Sequence, residues 1–406
     1  MQTFEDGLGV RWSAATADSI PRFQAVIEGY LGSRKDVPQV LDALIASDPE
    51  MAMATCFRAY LLKLAADPRF TGPLKQLETS LRKTASHLTT REQAHIEALS
   101  NWIAGDMDRT VDILEDILVD HPKDMLALRV AHYLHFYAGA SGNLRDSIAR
   151  SLSVWHENEP FYGYLLGMQA FGLEEAGDYA EAEAAGRKAV EINAGDIWAA
   201  HAVQHVFQMQ GRFAEGIPWV EGLMPGWQST NNFVYHMHWH KALCHIGAGE
   251  PDAALELYDT YLVGPLADDF YLDVANSASL LWRLEMLGVD VGDRWEPLRE
   301  LSNARVTDGE LLFCTLHYLM TPARVGDEDA LQRGIDHFKS WARESSTQGH
   351  LCRSVGLPLA EAIVDFARGD NARAAELLSG IRDDIRLIGG SHAQRDIFNL
   401  FLQHAA

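Results

Sequence analysis

Apolar and small residues recur along this chain at three- and four-residue intervals, in blocks that follow a glycine turn. That spacing puts them on one face of an α-helix. The clearest block turns at Gly177-Asp178-Tyr179 and then presents Ala182, Gly186 and Ala189. Gly211-Arg212-Phe213 followed by Gly216, Val220 and Leu223 repeats it. Gly105 is followed by Met107, Thr110, Leu114 and Ile117, with Pro122 beyond; Gly249 by Ala254, Tyr258 and Tyr261. Gly369-Asp370-Asn371 leads into Ala374, Leu378 and Ile381. Small residues at these places predict second helices packed closely on first ones. With Gly105, Gly142, Gly177, Gly211 and Gly249 as equivalent turns, the spacings are 37, 35, 34 and 38 residues.

A helical hairpin repeated about every 34 residues is the tetratricopeptide pattern. The expected fold is all-α: a tetratricopeptide-like solenoid of helical hairpins, a right-handed superhelix, running as one body over residues 1–406. Residues 1–35 repeat poorly and read as an irregular N-terminal cap. Residues 90–265 hold the clearest repeats, and 266–406 read as divergent C-terminal hairpins. Residues 37–66 carry Val40, Leu44, Met51 and Leu61 to Leu64 at helical spacing, interrupted by Asp48-Pro49. Residues 268–288 and 310–341 read as further hairpins. No stretch shows strand alternation, and there is no low-complexity tract.

Charge narrows the partners. The 406 residues hold 34 Lys+Arg against 57 Asp+Glu, a net charge of −23. Phosphate backbones and anionic lipid surfaces repel such a chain, so neither nucleic acid nor membrane is an expected partner. Cys56, Cys244, Cys314 and Cys352 are scattered without a Cys-x-x-Cys pair and read as reduced, buried thiols. The start, Met-Gln-Thr-Phe-Glu-Asp, lacks a basic stretch followed by an apolar run, and no apolar run approaches a membrane span. The expected location is the cytoplasm, and a homodimer is a reasonable assembly for a solenoid.

The repeat register gives the histidines a direction. In tetratricopeptide hairpins the first helix lines the concave surface through positions 2, 5, 9 and 12. Counting from Ile197 makes Trp198, His201, His205 and Gln208 groove-facing. The preceding hairpin contributes Tyr164, Gly167, Phe171 and Glu174; the following ones contribute His236, Trp239 and His240, then Trp282 and Glu285. His132 takes the place of His201 one hairpin earlier. His201 and His205 are four residues apart and share a helix face. Aromatic walls with a few convergent polar groups make a small-ligand pocket. The bland alternative is that these histidines bridge stacked helices and the aromatics are core.

Several of these stretches also resemble a known family. Trp198-Ala-Ala-His-Ala-Val-Gln-His-Val-Phe-Gln-Met-Gln-Gly-Arg212 is similar to the tetratricopeptide repeat protein 38 family. So are His236-Met-His-Trp-His-Lys-Ala-Leu243, Asp273 to Leu284, Gly288-Val-Asp-Val-Gly-Asp-Arg-Trp295 and Gly389-Gly-Ser-His-Ala-Gln-Arg-Asp396. The resemblance runs from about residue 90 to the end. It implies the helical-repeat fold and singles out His201, His205, His236, Trp239, His240, Asp273, Arg283, Gln394, Arg395 and Asp396. His238 and Lys241 depart from the pattern, standing where aromatics are usual, and His392 falls where Asn or His occurs. The resemblance carries no substrate.

Two kinds of chemistry fit. In metal-free acid–base catalysis, His201, His205, His236 and His240 would move protons, oriented by Asp273 or Asp396. Arg283 or Arg395 would fork a substrate carboxylate or phosphate. Tyr164, Phe171, Glu174, Trp198, Trp239, Trp282 and His392 complete the expected ligand contacts. That suits a hydrolase or lyase acting on a small polar molecule without a cofactor. Alternatively, His201, His205 and His240 would hold zinc or another divalent metal, His-x-x-x-His being a good two-ligand unit. The metalloprotease motif needs Glu after the first His; here it is Ala202. No Gly-x-Ser-x-Gly is present. Gly389-Gly390 is an anion-binding candidate, or simply a turn capped by Ser391. Gly389 to Asp396 either returns to the groove or closes the last hairpin through an Arg395–Asp396 pair. The competing function is an interaction scaffold that binds a peptide in the groove.

Overall fold

The turn glycines set the helix boundaries. Gly105, Gly177, Gly211, Gly249, Gly326 and Gly369 all hold positive φ, between 68° and 89°, a region open to glycine and strained for residues with a Cβ. Each ends one helix just before the next begins. Asp106, Asp327 and Asp370 follow three of these glycines. Each accepts a hydrogen bond from the backbone N–H three residues on, capping the second helix. Losing such a cap costs about 1 kcal/mol. Gly142 does not form the turn its spacing predicts: it lies inside a helix, and Gly139 (φ 61°) is the turn residue. A Cβ on Gly139 would overlap the carbonyl oxygen of Arg386.

The computed structural model describes residues Met1–Ala406. The chain is all-α apart from one short hairpin, and it packs as two compact units. The first comprises Met1–Phe136, Ala140–Val203 and Leu223–Asn231; the second comprises Tyr137–Gly139, Gln204–Gly222 and Asn232–Ala406.

The first unit opens with antiparallel strands β1 (Gln2–Glu5) and β2 (Arg11–Ala14). This corrects the strand-free expectation: four-residue strands are too short for alternation to show. Helices follow as α1 (Ser19–Leu31), α2 (Val37–Ser47), α3 (Ala52–Leu64), α4 (Thr71–Thr84), α5 (Thr90–Ile103), α6 (Met107–Asp120), α7 (Met125–Tyr137), α8 (Ser141–Leu152), α9 (Tyr162–Glu175) and α10 (Tyr179–Ile192). Ala182, Gly186 and Ala189 are buried on α10, as their spacing predicts. Ser13 donates to Glu92 through N–H (2.8 Å) and hydroxyl (2.6 Å), tying the hairpin to α5. Asp124 caps α7 at Ala127 and pairs with both Arg91 and His95 of α5.

α11 (Ile197–Met209) runs unbroken across the division at Val203–Gln204. The second unit continues with α12 (Phe213–Leu223), α13 (Phe233–Gly247), α14 (Pro251–Leu257), α15 (Tyr271–Met286), α16 (Glu296–Arg305), α17 (Leu312–Val325), α18 (Glu328–Trp341), α19 (Thr347–Leu351), α20 (Leu357–Ala367), α21 (Asn371–Ile381) and α22 (His392–Ala405). The first helices pack in series, α13 on α15, α15 on α17 and α17 on α20. The last helix, α22, returns onto α15 and α20. The four cysteines are free and buried, and no helix is long and apolar enough to cross a membrane.

Candidate functional site

The helical period builds the site. On α13, His236 and His240 are four residues apart and share a face, while His238, two residues on, points the other way. His238 stacks on Tyr261 with ring centroids 3.7 Å apart, and Lys241 pairs with Glu221 at 2.7 Å. Both side chains thus have structural roles of their own.

α13 and α15 run side by side in one direction, zipped by polar pairs offset by about 40 residues. Asn232 Nδ2 donates to Asp273 (2.6 Å), His236 Nδ1 meets Asn276 Oδ1 (3.0 Å), and Trp239 Nε1 donates to Ser279 (3.2 Å). From α11, Gln208 Oε1 meets His240 Nδ1 at 2.9 Å. An amide oxygen only accepts, so the Nδ1 atoms of His236 and His240 both donate. Their Nε2 atoms face each other at 3.1 Å. His205 of α11 lies beside them, its ring centroid 4.4 Å from that of His240. The ligand atoms of His205, His236 and His240 lie within 4.8 Å of one another. None is more than 3% exposed. Burial pushes the pKa of His236 down to about 3, against the hydrogen bond to Asn276 that raises it. His236 is therefore neutral at physiological pH.

Asp273 is buried at the start of α15. Desolvation pushes its pKa up to about 7, the Asn232 hydrogen bond opposes this, and Asp268 adds to it. Its Oδ1 has no hydrogen-bond partner. A carboxyl poised near neutrality in a buried polar setting suits proton transfer. Amides of Asn276 and Gln208, rather than Asp273 or Asp396, meet the Nδ1 atoms of His236 and His240; Asp273 pairs with Asn232 and Asp396 is exposed.

The arginines are engaged with backbone. Arg283, 5% exposed, donates to Ser279 O (3.2 Å) and Ala393 O (2.9 Å) and lies over the Trp239 ring. Its burial pushes its pKa down to about 10. Arg395 donates to the carbonyl of Gly390. Ser391 caps α22 in a capping box with Gln394, as its position predicts. Gly389 packs on Tyr137, where a Cβ would come within 2.7 Å of the carbonyl oxygen. The segment therefore returns to the α15 side of the second unit, and His392 sits half-buried at its first turn.

The remaining expected ligand residues divide. Within the first unit, Phe171 packs on Trp198 (4.8 Å) and stacks with His201 (5.5 Å), and Arg129 lies over Trp198. Glu174 is buried there, and the Tyr164 hydroxyl accepts from Asn193 at 3.1 Å. Trp239 is fully buried beside His236. Trp282 faces elsewhere: it packs on Trp295, Phe366 and Phe401 and lines a groove of about 660 Å³ with Glu285 and Arg324. No histidine of the cluster lines that groove. Sequence reasoning misses Asn276 as a site residue, although it lies on the same α15 face as Asp273, three residues on, and 40 residues from His236.

Fold and site together define an all-α helical-hairpin protein with a buried imidazole cluster. No family model matches the chain.

Proposed function

We propose that this protein is a helical-repeat protein of the tetratricopeptide repeat protein 38 type whose working centre is the imidazole cluster on α11 and α13. It binds a small polar molecule there and acts on it by acid–base chemistry, as a hydrolase or lyase. The observation that carries this reading is the convergence of His205, His236 and His240, with the Nδ1 atoms of the last two held by amides. Burial keeps the His236 ring neutral. Asp273 is the partner acid, since a carboxyl with pKa about 7 carries a proton at the operating pH. Arg283 donates to the Ala393 carbonyl of α22.

Burial also separates this function from that of a peptide scaffold. Peptide-binding repeats present recognition side chains to solvent, whereas these imidazoles are at most 3% exposed. Something as small as an ion or a compact metabolite suits that enclosure.

The test is untargeted mass spectrometry of a metabolite extract incubated with the native protein and with a His201→Ala, His240→Ala double variant, both checked for helical content. A metabolite consumed by the native protein alone supports the reading. Equal consumption by both contradicts it.

A further inference from the structure

We propose that the cluster is a binding site for a divalent transition-metal ion of the zinc class, ligated by His236 and His240 through Nε2, with His205 as the third imidazole. This deepens the reading above, on which it rests for the claim that the cluster is the working centre.

Hydrogen-bond direction fixes the tautomers. Asn276 Oδ1 and Gln208 Oε1 can only accept, so both partner imidazoles carry their proton on Nδ1. The lone pair of each neutral ring is then on Nε2. Those two atoms stand 3.1 Å apart, lone pair toward lone pair. Two acceptors held face to face repel unless a cation lies between them. A metal ion that binds the neutral imidazole is such a cation.

The spacing fits. With bonds of 2.0–2.1 Å, two nitrogens on one tetrahedral zinc lie about 3.3 Å apart. Imidazoles four residues apart on a helix supply such pairs, and His236 with His240 on α13 is one. The donor set is nitrogen alone. That favours zinc, copper or nickel over calcium or magnesium, which take oxygen. The outer groups also match a metal centre, where a ligating histidine donates its other N–H to an oxygen that fixes ring orientation. Asn276 and Gln208 do this from two different helices. His95 in the first unit, by contrast, turns its Nε2 to the Asp124 carboxylate.

The test uses the tag-free, full-length chain, stripped with chelator and titrated with Co²⁺ and then Zn²⁺. Visible absorption reports tetrahedral cobalt, and elemental mass spectrometry reports stoichiometry. One equivalent per chain is expected, with affinity reduced by about 100-fold or more in His236→Ala, His240→Ala. His240→Gln serves as a second variant should the double one misfold. Asn276→Leu leaves the ligands in place and is expected to weaken binding about 10–100-fold; His238→Ala, facing away, is expected to leave it unchanged. Absence of binding by the folded native chain, or equal binding by native and double variant, overturns the metal site. The two readings fail separately. Histidine-dependent turnover by a native chain that binds neither Co²⁺ nor Zn²⁺ would overturn the metal and keep the acid–base centre. One bound equivalent without any turnover would keep the metal and overturn the enzymatic reading.

Discussion

Two groups of buried histidines in this chain are wired in opposite ways. In the first unit, His95 is fully buried, its Nε2 on the Asp124 carboxylate at 3.0 Å and its Nδ1 on the Tyr60 hydroxyl at 3.2 Å. Arg91 neutralises the same carboxylate, and Asp124 also caps α7. Every strong group there has its complement, so the network is a strut between α5 and α7. In the second unit, His236 and His240 are backed by neutral amides and aim their Nε2 atoms at each other. A buried histidine on a carboxylate reads as structure; imidazoles converging through Nε2 read as a site.

Removing the wiring on each side should separate strut from site. Asp124→Ala strips Arg91 and His95 of their partner and uncaps α7. Breaking a buried pair costs about 3–5 kcal/mol, so denaturant unfolding should show a loss of that order with ligand or metal affinity per folded chain unchanged. His236→Ala, His240→Ala should do the reverse. It should abolish turnover and remove the stabilisation that excess metal confers, which for the native chain is about 2.7 kcal/mol at a hundredfold excess over Kd. A double variant that still gains stability from Zn²⁺ contradicts the contrast.

A smaller effect concerns Asp273. Its folded pKa of about 7 lies above the ordinary value of 3.8, so between those values the folded chain holds a proton that the unfolded chain has released. Stability from this group therefore falls as pH rises from about 4 to about 7 and is level above that. A tenfold difference in proton affinity between the folded and unfolded chain is worth about 1.4 kcal/mol. Asp273→Asn should flatten that fall when melting temperatures at pH 5 and pH 8 are compared; an unchanged slope assigns the pH dependence to other groups. The smallest effect belongs to His238→Ala, which removes only the stack on Tyr261, worth about 1 kcal/mol, and should leave activity untouched.

How much of this is legible in the sequence differs by range of interaction. The hairpin period shows in Gly177, Gly211 and Gly249 because a positive-φ turn and a small-residue helix face are local demands. Gly142 reads as a turn in place of Gly139 because two glycines three residues apart look equivalent. What selects Gly139 is its positive φ, together with the Arg386 carbonyl, 247 residues away. The β1–β2 hairpin is hidden because only β2 is buried and each strand is four residues long. The pairing of imidazoles on α11 and α13 follows from four-residue spacing. The amides that orient them do not, since Asn276 reaches His236 from a helix 40 residues on and carries no pattern of its own. The direction of His238 is legible: a position two residues from His236 faces the opposite side of a helix. Trp282 follows the same logic, its neighbour Arg283 lying over Trp239 while Trp282 itself packs on Phe366 and Phe401.

The convergence of the His236 and His240 Nε2 lone pairs on a cation site is what everything else here depends on. Long-range ¹⁵N–¹H spectra of the histidine side chains, recorded at pH 7 on the stripped protein and after one equivalent of Zn²⁺, probe it without an intermediary. Both rings should be neutral with the proton on Nδ1, and their Nε2 resonances should move on metal addition while Nδ1 stays protonated. Rings protonated on Nε2, or spectra unaltered by the metal, would contradict it.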